Sequence, residues 1–415
     1  MNKNFTKIYV CGPTVYNYVH IGNLRPILTY DLVLKAYRAL EMPFVFVHNL
    51  TDIDDKIIKK AIVENKSELE VSEFFGNNYL DLLKKLNVDT VTHVEKVTDN
   101  FDVITDYIQK ILAKKRAYAD AEQNIWFDIK SCQEHYGIVS NQNLDKMHFE
   151  EFSSQKKFDA DFALWKNTTE GIKYESPFGK GRPGWHTECC ALIAKHFGEA
   201  GVDFHGGGMD LTFPHHENEN IQHFAIYGRP LAKEWLRTGQ INLDGIKMSK
   251  SLGNIVLAND FLAKHDAEIL KLIFLSSKLT AQINVTDELI DNMYKIKEKY
   301  VRVIFKAYIN FEQNFTSQSL TKQAKVIFEA LKDFDFAKYN LLLNEALKDF
   351  NKNDSDFEKA LTVTQVLGNI HKNLVDKNNY NEDINIYKNW QELLQKKQFA
   401  QADELRAKLL AKNLI

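Results

Sequence analysis

Between Lys7 and His48 the apolar pattern changes period twice, and this limits the possible folds more than any other feature of the chain. Lys7 to Cys11 reads as a short strand, Gly12 and Pro13 mark a turn, and Leu28, Leu32, Ala36 and Leu40 follow at helical spacing. A second strand, Phe44 to His48, comes next. Strand, helix and strand in that order make a βαβ unit with a right-handed crossover, the building block of a parallel sheet. Ligands of such sheets sit beyond the carboxyl ends of the strands.

The chain has 415 residues, more than a single hydrophobic core usually spans, so further domains are expected. Up to about Gly181, a helix around Ile104 to Leu112 mixes with strand-like pieces, Ala117 to Ile129 and Glu175 to Gly184, and this stretch reads as an insertion. A sheet element returns at Val202 to His205, followed by Gly206, Gly207 and Gly208 and by a helix beginning near Pro214. The two separated halves are expected to form one sheet. From about Asp287 onward, patterns such as Tyr339, Leu342, Leu343, Ala346 and Phe350 predict a helix bundle, with loops at Asn351 to Asp356 and Lys377 to Asp383.

Composition narrows the chemistry less. A hydrophobic fraction of 44% and a charged fraction of 26% are those of an ordinary globular protein. A formal charge of -3 means that any nucleic-acid partner must be held by local basic patches. The polar amino end carries no long apolar segment, which predicts a cytoplasmic protein with no membrane association. Cys11, Cys132, Cys189 and Cys190 are too few for a disulfide scaffold, leaving metal binding, catalysis or inert burial as their roles.

Two short motifs carry most of the chemical information: His20-Ile21-Gly22-Asn23 at the start of the first helix, and Lys247-Met248-Ser249-Lys250-Ser251 far downstream. Singly, the first reads equally well as a histidine capping a helix, and the second as a solvated basic loop. Together they describe a site for nucleotidyl transfer. A helix amino terminus with a histidine and a glycine admits a triphosphate closely, and a loop with two lysines can neutralise departing pyrophosphate.

Here the sequence resembles the class I aminoacyl-tRNA synthetases, whose signatures, written HIGH and KMSKS, occur in this order; the first differs only at Asn23. Longer blocks narrow the resemblance to the cysteinyl-tRNA synthetase family. They are Cys11-Gly12-Pro13-Thr14-Val15-Tyr16, Asn49-Leu50-Thr51-Asp52-Ile53-Asp54-Asp55-Lys56, Gly181-Arg182-Pro183-Gly184-Trp185-His186-Thr187-Glu188-Cys189, His205-Gly206-Gly207-Gly208-Met209-Asp210 and Phe213-Pro214-His215-His216-Glu217-Asn218-Glu219. The resemblance implies an α/β fold: a Rossmann-like parallel-sheet catalytic domain with an insertion, followed by an α-helical bundle. The expected segments are 1–95 and 182–235 for the two catalytic halves, 96–181 for the insertion, 236–290 for the domain of the second signature, and 291–415 for a tRNA-binding bundle with a short carboxyl-terminal segment.

Carried over residue by residue, the resemblance implies zinc ligands at Cys11, Cys189, His215 and Glu219, with one Zn2+ per chain. His215 and Glu219 are four apart, so one helix face can present both while His216 points elsewhere; without the cysteines such a pair is an ordinary surface contact. Cys190 could substitute for Cys189, although the motif register favours Cys189. The family pattern places Gly12, Thr51 and Trp185 around the amino acid. ATP would meet His20, Gly22, Asn23, Asp210 and Lys250, with Mg2+ accompanying it, and His20, Asn23, Lys247 and Lys250 would carry catalysis.

The implied reaction joins L-cysteine to tRNA(Cys) through cysteinyl-adenylate, and the sequence names no protein partner. Zinc would answer a selectivity problem: an apolar pocket separates side chains of similar size by only about 1–3 kcal/mol, and serine differs from cysteine by one atom. A metal that accepts a thiolate exploits the softness and acidity of sulfur. A second reading is a mycothiol-pathway cysteine ligase, similar in its catalytic half but using an amino-sugar acceptor. The long helical region, with Asp333-Phe334-Asp335-Phe336-Ala337, favours the synthetase. The chain ends soon after Gln401 to Lys408, so tRNA contacts are expected from Lys and Arg of the bundle and not from a further anticodon module.

Overall fold

The computed structural model describes residues 5–149, 155–248, 254–311, 315 and 319–415. The chain divides into two compact units: Met1–Leu28, Pro43–Ile241 and Met248–Ala263 form the first, and Thr29–Met42, Asn242–Lys247 and Lys264–Ile415 the second.

In the first unit the strands are β1 (Thr6–Val10), β2 (Phe44–Leu50), β3 (His93–Lys96), β4 (Ala117–Ala119), β5 (Ile125–Phe127), β6 (Phe162–Lys166), β7 (Arg182–Pro183), β8 (Val202–Gly208) and β9 (Ala232–Thr238). Five of them form an all-parallel sheet in the order β3-β2-β1-β8-β9. The apolar residues of β1 and β2 explain their central places: Ile8, Tyr9, Val10, Phe46 and Val47 are all buried, as in parallel strands covered on both faces. Ile8 pairs with Phe46 on one side and with Phe204 on the other, so the separated halves do form one sheet. Strand order reverses between β1 and β8, which opens a crevice at their carboxyl ends.

Helix α1 (Ile21–Ala39) begins in this unit and belongs to the second from Thr29 onward, while α2 (Asp55–Glu64), α3 (Glu68–Lys85), α4 (Phe101–Ala113), α5 (Trp185–Phe197), α6 (Glu217–Tyr227) and α7 (Ala258–Lys264) accompany the strands. A reciprocal Ser67 and Glu70 capping box starts α3. Ile104, Tyr107, Ile108 and Ile111 bury one face of α4, each isoleucine contributing about 1.5–3 kcal/mol. Gly184 can precede α5 only as glycine, because a Cβ there would lie 1.9 Å from the Ala163 carbonyl oxygen. Strands β4, β5 and β6 of the expected insertion form an antiparallel sheet that is completed by β7, just past the expected end at 181. Of the strand-like run Glu175 to Gly184, only Arg182–Pro183 is strand.

The second unit contains a small sheet of β10 (Ile241–Leu243), β11 (Ile246–Lys247) and β12 (Ile283–Val285), and helices α8 (Ala267–Leu275), α9 (Asp287–Asn310), α10 (Lys322–Lys332), α11 (Phe336–Lys352), α12 (Phe357–Ile370), α13 (Asn381–Gln395) and α14 (Phe399–Ala411). Tyr339, Leu343, Ala346, Leu347 and Phe350 form the buried stripe of α11, while Leu342 is only half-buried. The loop expected from Lys377 to Asp383 is instead a 3-10 turn running into α13. Asp376 accepts the Asn378 N–H there, and the Tyr380 ring packs against Phe305 and Tyr308 of α9, an anchorage that polar composition conceals. Among the described residues no helix is long and apolar enough to cross a membrane.

Candidate functional site

Cys11 directly follows β1, and its N–H donates to the Gly206 carbonyl of β8 at 3.1 Å, which fixes it at the mouth of the crevice. The following Gly12 passes so close to β2 that a Cβ would lie 1.6 Å from the Asn49 carbonyl oxygen, and its N–H donates to Asn49 Oδ1 at 2.8 Å. Cys189 faces the same point from α5. His215 and Glu219 reach it from the other side: a π turn over Thr212–His216 leads into α6, which keeps the two residues on one face.

The separations are Cys11 Sγ to Cys189 Sγ 3.9 Å, Cys189 Sγ to His215 Nε2 3.7 Å, Cys11 Sγ to Glu219 Oε1 3.7 Å and His215 Nε2 to Glu219 Oε1 3.0 Å. Tetrahedral bonds of about 2.0–2.3 Å to sulfur, nitrogen and oxygen imply donor separations of about 3.3–3.8 Å, so the four atoms lie near the corners of such a site. Cys189, His215 and Glu219 are buried, and Cys11 is half-buried. Electrostatics agree: burial alone would lower the His215 pKa, but Glu219 and Cys189 outweigh it and raise the ring to about 10. The cluster thus stabilises positive charge at its centre.

A shell of histidines surrounds these four residues. His186 Nδ1 lies 3.1 Å from His215 Nδ1, and burial, then the neighbouring His215, push His186 well below the usual imidazole range, so it stays neutral and accepts a hydrogen bond from His215. His205 Nε2 is 2.9 Å from Glu219 Oε2. His216 does not point elsewhere: one position further round the turn than His215, it still reaches Cys11 from another side, its Nε2 3.7 Å from Cys11 Sγ. A second quartet, Cys11, His205, His216 and Glu219, therefore shares two residues with the first. Cys190 is buried with its Sγ on the His186 and Glu219 carbonyl oxygens, and Cys132 is buried in the core beneath the insertion. A further His93, Glu95 and His196 group is already neutralised, with Lys195 Nζ 2.9 and 2.8 Å from the two Glu95 oxygens.

The remaining expected residues fall in two places. Trp185 stacks on His215 at 4.2 Å between ring centres while staying 37% exposed, and the buried Thr51 Oγ1 donates to Glu188 Oε2 at 2.9 Å. Burial, then Cys189, raise Glu188 well above the carboxylate range. At the other place, Asn23 Oδ1 accepts the His20 N–H at 3.1 Å, and a Cβ on Gly22 would meet the His20 ring at 2.9 Å. Met248 of the downstream signature packs beside Gly22, and His20 forms an antiparallel bridge with Leu257 just beyond it, so the upstream signature meets both. The Lys247 side chain and Lys250 lie outside the described residues. Asp210 sits in a 3-10 turn after β8, its carboxylate folded over Gly208.

His186, His205, His216, Arg237 and Glu188 escape a reading of the sequence alone, since no periodicity links them; the only signal is the density of histidine in the quoted blocks.

A parallel sheet with a ligand crevice at its switch point and two convergent signatures defines the catalytic domain of a class I tRNA synthetase. Residues 1–295 match the family model described as "tRNA synthetases class I (C) catalytic domain". The fold is shared with Mycobacterium tuberculosis methionyl-tRNA synthetase in complex with methionyl-adenylate, at a TM-score of 0.64 and 12% identity over 88% of this chain and 92% of that one. It is also shared with the Agrobacterium radiobacter K84 LeuRS-tRNA-LeuAMS ternary complex, at a TM-score of 0.67 and 8% identity over 91% of this chain and 85% of that one. Among curated relatives, the cysteine-tRNA ligase of Mesomycoplasma hyopneumoniae strain 232 is 40% identical over 99% of this chain and 98% of its own. That of Malacoplasma penetrans is 39% identical over 100% and 97%. The chain belongs to the cysteine-tRNA ligase family.

Proposed function

We propose that the chain activates L-cysteine with ATP and passes it to the terminal ribose of tRNA(Cys) in the cytoplasm, and that Cys11, Cys189, His215 and Glu219 hold one Zn2+ that selects the substrate. The observation carrying this reading is the near-tetrahedral quartet of two thiols, an imidazole and a carboxylate. The second quartet is the poorer candidate. Arg237 Nε donates to His216 Nδ1 at 3.0 Å, which leaves the ring proton on Nε2, where a metal would have to bind. His215 has the opposite arrangement, with Nδ1 toward His186 and Nε2 toward the sulfur and carboxylate donors.

Zinc, when bound, would take the substrate thiolate as a ligand, which a serine hydroxyl at neutral pH matches poorly. Trp185 forms an apolar wall over His215, and Thr51 and Gly12 border the same pocket. The substrate carboxylate attacks the α-phosphorus of ATP in line, forming a carboxyl-phosphate bond as the bond to pyrophosphate breaks. His20, with Gly22 and Asn23 shaping the start of α1, binds phosphate; Lys247 and Lys250 neutralise the leaving pyrophosphate, Asp210 holds the ribose, and Mg2+ accompanies ATP. A tRNA ribose hydroxyl then displaces AMP.

Cysteine-dependent charging of a tRNA transcript tests the reading, with elemental analysis for zinc. Adenylate formation without charging would instead favour an amino-sugar acceptor, and the absence of both would end the proposal.

A further inference from the structure

Arg237 and Gly207 are partners in the parallel ladder of β9 and β8. Gly207 leaves room for the His216 ring: a Cβ there would be 3.1 Å from both Cε1 and Nε2. Into that space the Arg237 side chain sends its Nε–H to His216 Nδ1 at 3.0 Å, while its Nη2 reaches the Val139 carbonyl at 3.5 Å and its guanidinium lies 5.4 Å from the centre of the Trp235 ring. The far side of the same imidazole is 3.7 Å from Cys11 Sγ.

A guanidinium can only donate, so Nδ1 must accept and the ring proton must sit on Nε2. From there it faces the Cys11 sulfur, 3.7 Å away. We infer that Arg237 is a positioning residue which, through His216, holds an N–H···S hydrogen bond on the Cys11 thiolate and so tunes how readily a metal at this cluster takes up an incoming thiolate. This rests on the metal reading above. A hydrogen bond to a ligating sulfur draws electron density from it, leaving the ion a stronger acceptor for another sulfur; outer partners of this kind commonly change metal affinity or activity by about 10- to 100-fold.

The test uses the full chain loaded with Co2+, whose sulfur-to-metal charge-transfer band reports electron donation by the thiolates. Arg237→Leu and His216→Phe should both move that band to lower energy and raise the KM for cysteine about tenfold with little change in kcat. Arg237→Lys, which can still donate to Nδ1, should restore most of the band position. His216→Gln can donate to sulfur unaided, so its band should stay near wild type and should not respond to an added Arg237→Leu change. A folded, Co2+-loaded Arg237→Leu or His216→Phe protein with an unmoved band would overturn the inference. So would an equal shift from Arg237→Leu in the His216→Gln background. A wild type that takes up no Co2+ or Zn2+ would instead bring down the metal reading itself, and this inference with it.

Discussion

His186 Nδ1 and His215 Nδ1 face each other at 3.1 Å, a distance at which one proton is shared and only one ring can own it. Burial and the adjacent His215 keep His186 neutral, so the proton between the rings belongs to His215 Nδ1, and His215 Nε2 faces the thiol and carboxylate donors, where a metal would replace its proton. His186→Phe removes the acceptor that fixes this tautomer. It should weaken metal binding by about 10- to 100-fold, measured by competition with a coloured chelator; unchanged affinity would show that His215 needs no such partner.

Cysteine substitutions separate the ligands from the bystanders. Cys189→Ser should lower bound zinc and cysteine activation together, because its Sγ faces both Cys11 and His215. Cys132→Ser, in the core beneath the insertion, should cost stability while leaving metal content intact. Equal zinc loss in the two variants would contradict the ligand assignment.

The two signatures make distinct predictions. Gly22→Ala drives a methyl group into the His20 ring, so adenylate formation, read as pyrophosphate exchange, should fall by at least about tenfold while cysteine still binds. Lys250→Ala should slow the same step by on the order of a hundredfold, as loss of a charge partner in the transition state does. Normal exchange rates would exclude these roles.

In the second unit, Glu268 is buried between Lys271, 2.8 Å away, and His371, 2.5 Å away. Burial alone would raise its pKa, but His371 and Lys271 outweigh this and hold it at about 2 against an ordinary 4.5. The folded state therefore binds fewer protons than the unfolded one between these values. The stabilisation is complete above pH 4.5 and disappears as pH falls through about 2. Glu268→Gln should flatten that part of the acid-unfolding profile and lower stability at neutral pH by roughly 3–5 kcal/mol, the cost of breaking a buried pair. Denaturant melts across the acid range measure both effects.

The βαβ start and the helical stripes were legible because each follows from residues close in sequence, Ile8 to Val10 or Tyr339 to Phe350, whereas the joining of β8 to β1 was expected from the return of a strand pattern at Val202 to His205 and not from any local contact. The quartet was legible only by resemblance, since no local pattern ties Cys11 to Glu219 across the chain. His216 defeated the spacing argument because a ring on the next position round the turn from His215 still reaches Cys11, whose place no local pattern gives. Arg237 offered no signal at all: an arginine on a strand end acquires meaning only when β9 lies beside β8.

Cys11 and Cys189 are 178 positions apart, yet their sulfur atoms meet at 3.9 Å. An ion bound to both is a removable cross-link around a very long loop. Closing such a loop in the unfolded chain costs it conformational entropy, about 4.7 kcal/mol for a loop of about 100 residues and slightly more here. Stripping the metal therefore reaches well beyond the amino-acid pocket: it releases the seam between β1 and β8, so the chelated protein should open there first and become sensitive to proteases along the insertion.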